Sequence, residues 1–314
     1  MRRLDIKREM SPTDLAQVHD LVAAAERADG HRPMSDHLWL DLAKGGRPGF
    51  AGLVATEPAH DHAVAYAQLS RSHESWALEL VVHPHHRYDM AAIGPEMLRA
   101  ATDVVASEGG GHVHWWVFEP TRLHDRLAAD VGLHPHRRLH QMRRPLPTGV
   151  PYELITRPFR PGADEDAWLA VNNRAFHWHP EQGGWDREAL LARQAEPWFD
   201  PKGFLLHERD GRLAGFCWTK VHADTVPLLG EIYVIAVDPD FHGLGLGRAL
   251  TLAGLDHLAR VGVDEGMLFV DADNRAAVTL YESLGFRVGR TDVAYVGDIA
   301  SSEASPPIAR EGSR

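Results

Sequence analysis

Residues His242-Gly243-Leu244-Gly245-Leu246-Gly247 follow a strand-like run from Glu231 to Val237 and an Asp238-Pro239 turn, and lead into a helical stretch from Arg248 to Val261. Strand, glycine-rich turn and helix, in that order, present backbone N–H groups to a phosphate at a helix N-terminus. Glycines tolerate positive φ and let a ligand approach the backbone closely. The chemistry open to this segment is therefore the holding of a pyrophosphate. It is not a dinucleotide site of G-x-G-x-x-G form, because the third glycine position after Gly243 and Gly245 is Arg248. It is not a Walker A loop, because no Gly-Lys-Ser/Thr follows.

The register resembles the Q/R-x-x-G-x-G/A loop of the GNAT N-acetyltransferases, with His242 where that family has Gln or Arg, and with Gly245 and Gly247 matching. A second segment, Asn274-Arg275-Ala276-Ala277 leading to Tyr281 and Gly285-Phe286, resembles the family's last motif. The resemblance implies acetyl-CoA as co-substrate. It implies two parallel strands, Glu231 to Val237 and Met267 to Asp271, that splay apart, with the thioester arm pairing on Ile235, Ala236 and Val237. His242, Gly243, Leu244, Gly245, Leu246, Gly247 and Arg248 then cradle the pyrophosphate. Asn274, Arg275, Ala276, Ala277, Val278 and Thr279 open the next helix and face the pantetheine.

The elements that must position these residues fill a chain of 314 residues, enough for about two domains. Hydrophobic content of 44% and charged content of 25% are ordinary for a globular protein. A net charge of −11 argues against a nucleic-acid partner, which wants a basic face. An anionic cofactor must then be held by local N–H groups and a few cations such as Arg248 and Arg275. No apolar run approaches the ~20 residues of a membrane span, and no signal peptide is visible. The single cysteine, Cys217, suits a reducing cytoplasm. It lies in the apolar run Ala214 to Trp218 and reads as a small buried residue. Of 21 histidines, His83, His85 and His86, and His112 and His114, are close in sequence, but no H-E-x-x-H or Cys-His pattern occurs. No metal site is expected.

One pattern is written twice. Leu78 to Pro84 parallels Ile232 to Pro239, Ala63 to Leu69 parallels Leu213 to Lys220, and Val131-Gly132-Leu133 parallels Leu284-Gly285-Phe286. Two opening helices also correspond, Thr13 to Ala28 and Asp164 to Phe176, with Thr13 and Asp164 as N-caps. The expected fold is α/β: two tandem acetyltransferase-like domains, each a mixed central sheet flanked by helices. Residues 1–145 form the first, 146–152 a proline-rich linker, 153–298 the second, and 299–314 a disordered tail. Aligning the x-Pro turns puts Arg87 at the His242 position, Met90 at Gly245 and Ala92 at Gly247. Ala128 falls at Tyr281, and Thr121 near Asn274. The N-terminal copy is thus expected to be catalytically dead, with Leu80, Val81 and Val82 as the positions of any residual cofactor contact.

Acetyl transfer from a thioester to an amine needs a base, a donor for the oxyanion and support for the leaving thiolate. Glu231 is the candidate base, directly or through water. A backbone N–H near Ala236 or Val237 suits the oxyanion. Tyr281 suits the sulfur, as a hydrogen-bond donor rather than a full acid, since phenol and thiol pKa values are about 10 and 8.5.

The block Asn172 to Trp185, with Trp198-Phe199-Asp200-Pro201 and Trp218-Thr219-Lys220-Val221-His222, reads as a loop of aromatic and polar side chains suited to a polyhydroxylated ligand. His179 to Trp185 and Trp218 to His222 resemble the mycothiol synthase family of tandem acetyltransferases, over roughly Leu15 to Tyr295. That resemblance implies desacetylmycothiol, a cysteine–glucosamine–inositol conjugate, as acceptor. It implies contacts from Asp36, Glu181, Lys220 and Glu231, a cytoplasmic setting and a monomer. Asp36 stands where Glu is expected, and Phe269 where Tyr is expected, at the cost of one polar contact worth about 1 kcal/mol. The rival readings are an acetyltransferase of another small amine and a non-catalytic acetyl-CoA sensor.

Overall fold

The computed structural model describes residues 2–302, without 61, 73, 74, 179–181 and 224 and without the side chains of 36 and 37. The chain folds into two compact units. One holds the residues up to Arg138 and those from Thr291 on; the other is Leu139–Arg290.

Unit 1 runs β1 (Arg3–Lys7), α1 (Pro12–Asp29), α2 (Asp36–Ala43), β2 (Phe50–Thr56), β3 (Ala63–Arg71), β4 (Ser75–Val82), a 3-10 turn Pro84–Asp89, α3 (Met90–Ser107), β5 (Gly111–Phe118) and α4 (Arg122–Asp130). Its strands are ordered β1-β2-β3-β4-β5 and then β12 (Arg287–Ile299), the last strand of the chain. β4 and β5 are parallel, and the other pairs are antiparallel. The N-cap of α1 is Ser11 rather than the expected Thr13. Ser11 and Asp14 form a reciprocal capping box and Pro12 takes the first helical turn, where its missing N–H costs nothing.

Unit 2 begins inside β6 (His134–Pro145) and continues with β7 (Arg157–Pro158), α5 (Glu165–Ala175), α6 (Arg187–Gln194), β8 (Phe204–Arg209), β9 (Arg212–His222), β10 (Leu229–Val237), α7 (Leu246–Arg260), β11 (Glu265–Asp271) and α8 (Arg275–Ser283). Its order is β6-β11-β10-β9-β8-β7, with β10 and β11 parallel. One face carries α7 and α8 over Ile232, Leu250, Leu255, Leu268 and Tyr281. The other carries α5 and α6 over Trp168, Phe204, Phe216 and Trp218. Cys217 is fully buried on the α7 face, and burial raises its thiol pKa; the structure makes it a core residue.

Both repeats are present, yet each unit is closed by the other repeat's final strand. Residues Leu139 to Pro145 of β6 pair with Asp271 to Glu265, and residues Asp292 to Ile299 of β12 pair with Phe118 to Gly111. The chain therefore passes between units at 138/139 and 290/291, and not once through 146–152. The expected linker is bound: Leu146 N–H donates to Asp264 O at 2.8 Å, and Leu146, Val150 and Tyr152 pack on the α7 core. Ile299 of the expected tail is likewise strand-paired, and only residues from 303 on lie outside the described chain. A proline-rich sequence signals a lack of regular hydrogen bonding, not a lack of packing.

Candidate active site

The site starts where β10 and β11 part. Their parallel pairing covers Leu229↔Glu265 to Ile232↔Leu268. Beyond it β10 follows β9 to Val237↔Gly215, while β11 follows β6 to Asp271↔Leu139. The edges of Val234–Val237 and Phe269–Asp271 that would face each other are left to frame a cleft. A bulge in β10 at Tyr233, between Ile232↔Thr219 and Val234↔Trp218, sits at the parting point. An extra residue bends a strand and increases its twist, which is a cause for the two strands to separate there. Ile235, Ala236 and Val237 lie on the β10 side of this cleft.

The glycine loop lies at the end of β10. Gly243 and Gly245 have φ of 80° and 73°, and Gly245 is the N-cap of α7. A Cβ added at either would meet nothing within 4 Å. Glycine is needed here for backbone conformation and to keep the space above the loop open, not to relieve crowding. The first-turn N–H groups of α7, which have no acceptor inside the helix, are the donors left for a phosphate. His242 Nε2 lies 3.1 Å from Val237 O and ties the loop back to β10. Arg248 is exposed and donates to Ser283 Oγ at 3.0 Å.

The equivalent stretch of unit 1 shows the same frame with the loop closed. β4 and β5 pair from Ser75↔His112 to Leu78↔Trp115 and then part, so Leu80, Val81 and Val82 occupy the place of Ile235–Val237. Arg87 Nε reaches Val82 O at 3.4 Å, five residues back, as His242 reaches Val237 O. This fixes the repeat register read from the x-Pro turns. The Arg87 guanidinium forks onto Asp29 at 2.6 and 2.7 Å. Where Gly243 and Gly245 bend, unit 1 coils into the 3-10 turn and runs straight into α3, with Met90 at φ −55°. Thr121 caps α4 as Asn274 caps α8, and Ala128 is fully buried at the tyrosine position.

Asn274 Oδ1 accepts from Ala277 N–H at 3.1 Å, so its carbonyl is spent on the helix cap and its NH2 is the group it can present. About two turns later α8 carries Tyr281, 8% exposed, in the cluster that holds Ile235 and Val270 from either side of the cleft. Buried tyrosines normally bond their hydroxyl. Tyr66 donates to Gln68 at 2.9 Å and Tyr295 to Asp125 at 2.7 Å. Tyr281 Oη has no hydrogen-bond partner among the described residues. Burial, with Cys217 nearby, raises its pKa, so the phenol stays protonated.

Glu231 sits one pair before the strands part, opposite Met267 on β11 and Lys220 on β9, and is buried. Sequence reasoning missed its partner. His222 Nε2 lies 2.8 Å from Glu231 Oε2. The two are diagonal neighbours across an antiparallel pair, since His222 is opposite Leu229. Only the β9–β10 register, which the order of residues does not carry, puts both on a single strand face. Lys220 shares that face, its Nζ 4.9 Å from the Trp198 ring centre and 5.7 Å from that of Tyr233. Phe269, two residues past Met267 on β11, is 37% exposed.

Within the aromatic block, Trp218 is fully buried and stacks on Phe204 at 4.3 Å, while Phe176, Trp185, Trp198 and Phe199 are half-buried against the core under α5 and α6. Asn173 holds Trp185 through N–H and carbonyl at 3.0 and 2.7 Å, and Asn172 bonds Gln182 O at 3.0 Å. Trp178, 57% exposed, remains available to a ligand. Glu181 lies outside the described residues. Asp36 opens α2 in unit 1, and its side chain is also outside them.

The acetyltransferase (GNAT) family matches residues 170–286, a span that includes the parted strands, the loop and Tyr281. The mycothiol acetyltransferase of Thermobispora bispora is 46% identical over 293 residues, 91% of this chain and 96% of that protein. That of Acidimicrobium ferrooxidans is 45% identical over 284 residues, 88% and 91% of the two chains. This chain belongs to the mycothiol acetyltransferase family. Among solved structures, a GCN5-related N-acetyltransferase from Sphaerobacter thermophilus aligns with TM-score 0.69 and 26% identity, over 95% of this chain and 96% of that one. A tandem GNAT protein from the clavulanic acid biosynthesis pathway aligns with TM-score 0.70 over 96% of this chain and all of that one, at 18% identity. The latter is a likeness of fold, and it matches the two repeats seen here. As a mycothiol acetyltransferase family member, the chain is an acetyl-CoA-dependent N-acetyltransferase, with a glycine loop in unit 2 and a 3-10 turn without glycine in its place in unit 1. No helix among its described residues is long and apolar enough to cross a membrane.

Proposed function

We propose that this protein transfers the acetyl group of acetyl-CoA to the cysteinyl amine of desacetylmycothiol, giving mycothiol and CoA, with unit 2 as the working half. The observation that carries the reading is the cleft between β10 and β11. Glu231 with His222 stands at its root, the open loop and α7 N-terminus at its mouth, and the unpaired Tyr281 hydroxyl in the core that joins its sides. The open space above Gly243 and Gly245 fits a pyrophosphate.

Each group then has a task. His222 holds Glu231 Oε2, which leaves Oε1 to take the amine proton directly or through water as nitrogen attacks the thioester carbon. Only a modest base is needed, because an α-amino group has a pKa near 8. A backbone N–H of β10 near Ala236 or Val237 supports the oxyanion. When the carbon–sulfur bond breaks, Tyr281 donates a hydrogen bond to the leaving sulfur. Lys220 and Phe269 lie on the Glu231 face and serve the acceptor, joined on family resemblance by Asp36 and Glu181. Arg248, Arg275 and the Asn274 amide serve the CoA. We place the enzyme in the cytoplasm, as a monomer.

The test is thiol release from acetyl-CoA with desacetylmycothiol, beside Glu231→Gln and Tyr281→Phe and a panel of other amines. Turnover lost in both variants supports the reading. Preference for another amine overturns the acceptor, and saturable acetyl-CoA binding with no turnover of any amine overturns the reaction.

A further inference from the structure

The turn that closes the unit 1 loop carries a side-chain cluster the acetyl transfer does not use. His60 and His62 lie between β2 and β3; His86 lies in the 3-10 turn after β4, 24 residues further on. One ring nitrogen from each lies within 4.8 Å of the other two. His62 Nε2 and His86 Nε2 are 3.1 Å apart, a distance at which one ring N–H donates to the other ring's bare nitrogen. Nitrogens bound to one tetrahedral zinc at 2.0–2.1 Å are separated by about 3.3 Å, so this pair is spaced as two ligands of one ion.

The surroundings hold the three rings in place. His60 N–H donates to Glu57 O at 3.0 Å and His86 N–H to His83 O at 2.8 Å, which fixes both turns. Glu57 Oε2 lies 3.7 Å from His60 Nε2, and Arg2 Nε donates to Glu57 Oε1 at 3.2 Å. At 3.7 Å the carboxylate makes no hydrogen bond to the ring, but it places negative charge beside the cluster. His83 packs its ring 4.3 Å from that of His62, while its Nδ1 accepts from His85 N–H. His86 is buried and His60 is exposed, so one side of the cluster is open to a solvent ligand.

We propose that His60, His62 and His86 bind one divalent transition-metal cation of the zinc class. An all-imidazole donor set selects Zn, Cu or Ni over Mg and Ca. The ion clips the turn that replaces the glycine loop onto the β2–β3 connection. Unit 1 thereby fixes the segment that unit 2 keeps open for the cofactor.

The experiment is calorimetric titration of the chelator-stripped full-length protein with Zn²⁺, and separately with Mg²⁺. It is repeated on His62→Ala, His86→Ala and the exposed His60→Ala, with His207→Ala as control. One saturable equivalent of Zn²⁺ is expected, with no Mg²⁺ binding. Loss of an outer-shell partner alone costs 10–100-fold, so loss of any of the three ligands is expected to weaken binding at least ~10-fold. His207→Ala should match the parent. Zinc should also raise the parent's Tm, and raise that of His60→Ala by less at the same concentration. Absence of a saturable equivalent overturns the proposal, as does binding that survives His60→Ala and His62→Ala unaltered, which would mark adventitious surface histidines. Should His86→Ala fail to fold, His60→Ala on its own decides the outcome.

Discussion

Replacing Tyr281 with Phe removes one oxygen from a buried site, and the structure sets two separate magnitudes for it. The hydroxyl makes no hydrogen bond among the described residues, so the fold forfeits none. That oxygen is not one of the fully buried polar atoms left without a partner, so it can meet water and the fold gains little from its removal. The Tm is then expected to stay level, within the ~2–4 °C that 1 kcal/mol makes in a unit of this size. The rate should behave differently. A preorganised donor aimed at developing charge is worth about 2.7–4 kcal/mol, and kcat should fall about 10²–10³-fold with little change in the KM for acetyl-CoA. Burial raises the phenol pKa, so the protonated donor is present at neutral pH and persists above the usual value of 10. The ratio of parent to variant kcat should therefore be flat from neutral to mildly alkaline pH. Tyr295→Phe supplies the contrast. It breaks a 2.7 Å bond to Asp125 in unit 1, and should cost about 1–2 kcal/mol of stability with kcat unchanged. Thiol-release kinetics and thermal melts on both variants read all of these quantities. A loss in Tyr281→Phe below about threefold, or one that tracks a falling Tm, would refute the leaving-group role.

Three further outcomes follow from the same geometry. Gly245→Val must hold a β-branched residue at φ 73° in open space, so acetyl-CoA affinity should collapse while the fold survives; equilibrium binding unchanged from the parent would show the loop to be misread. Gly254→Ala is its counterpart, since the new Cβ would stand 2.4 Å from Cys217 Sγ and should lower the Tm first. Glu231→Gln should lose more rate at acidic than at alkaline pH, because the amine is then more often protonated; a loss independent of pH counts against the base, and His222→Ala should follow the Glu231→Gln profile in weaker form. Asp164 is buried, which by itself pushes its carboxyl up. Hydrogen bonds from Arg157 and Arg160 outweigh this and hold it well below the ordinary 3.8. A depressed carboxyl stabilises the fold above the unfolded value and loses that contribution as pH falls below it. Arg157→Ala should cost about 1.5–3 kcal/mol in denaturant melts at neutral pH and little at strongly acid pH; equal losses at both would refute the linkage.

The residues legible in the sequence are those whose task depends on a few neighbours along the chain. Gly243 and Gly245 are needed because φ is positive there, a property of the turn itself. Asn274 announces a helix start through a bond three residues away, and the x-Pro turns put Arg87 opposite His242 because each side chain reaches a carbonyl five residues back. Local geometry of that kind survives in the order of residue types. The tertiary structure decided what depends on register and topology. That His222 meets Glu231 follows from the pairing of β9 with β10, and that Trp218 is core rather than ligand surface follows from α5 lying over it. Strand patterning says that Leu139–Pro145 and Asp292–Ile299 will pair, but backbone hydrogen bonds carry no label for their partner. Only the packed structure shows each repeat completing the other's sheet, and His60 and His62 meeting His86 across the fold.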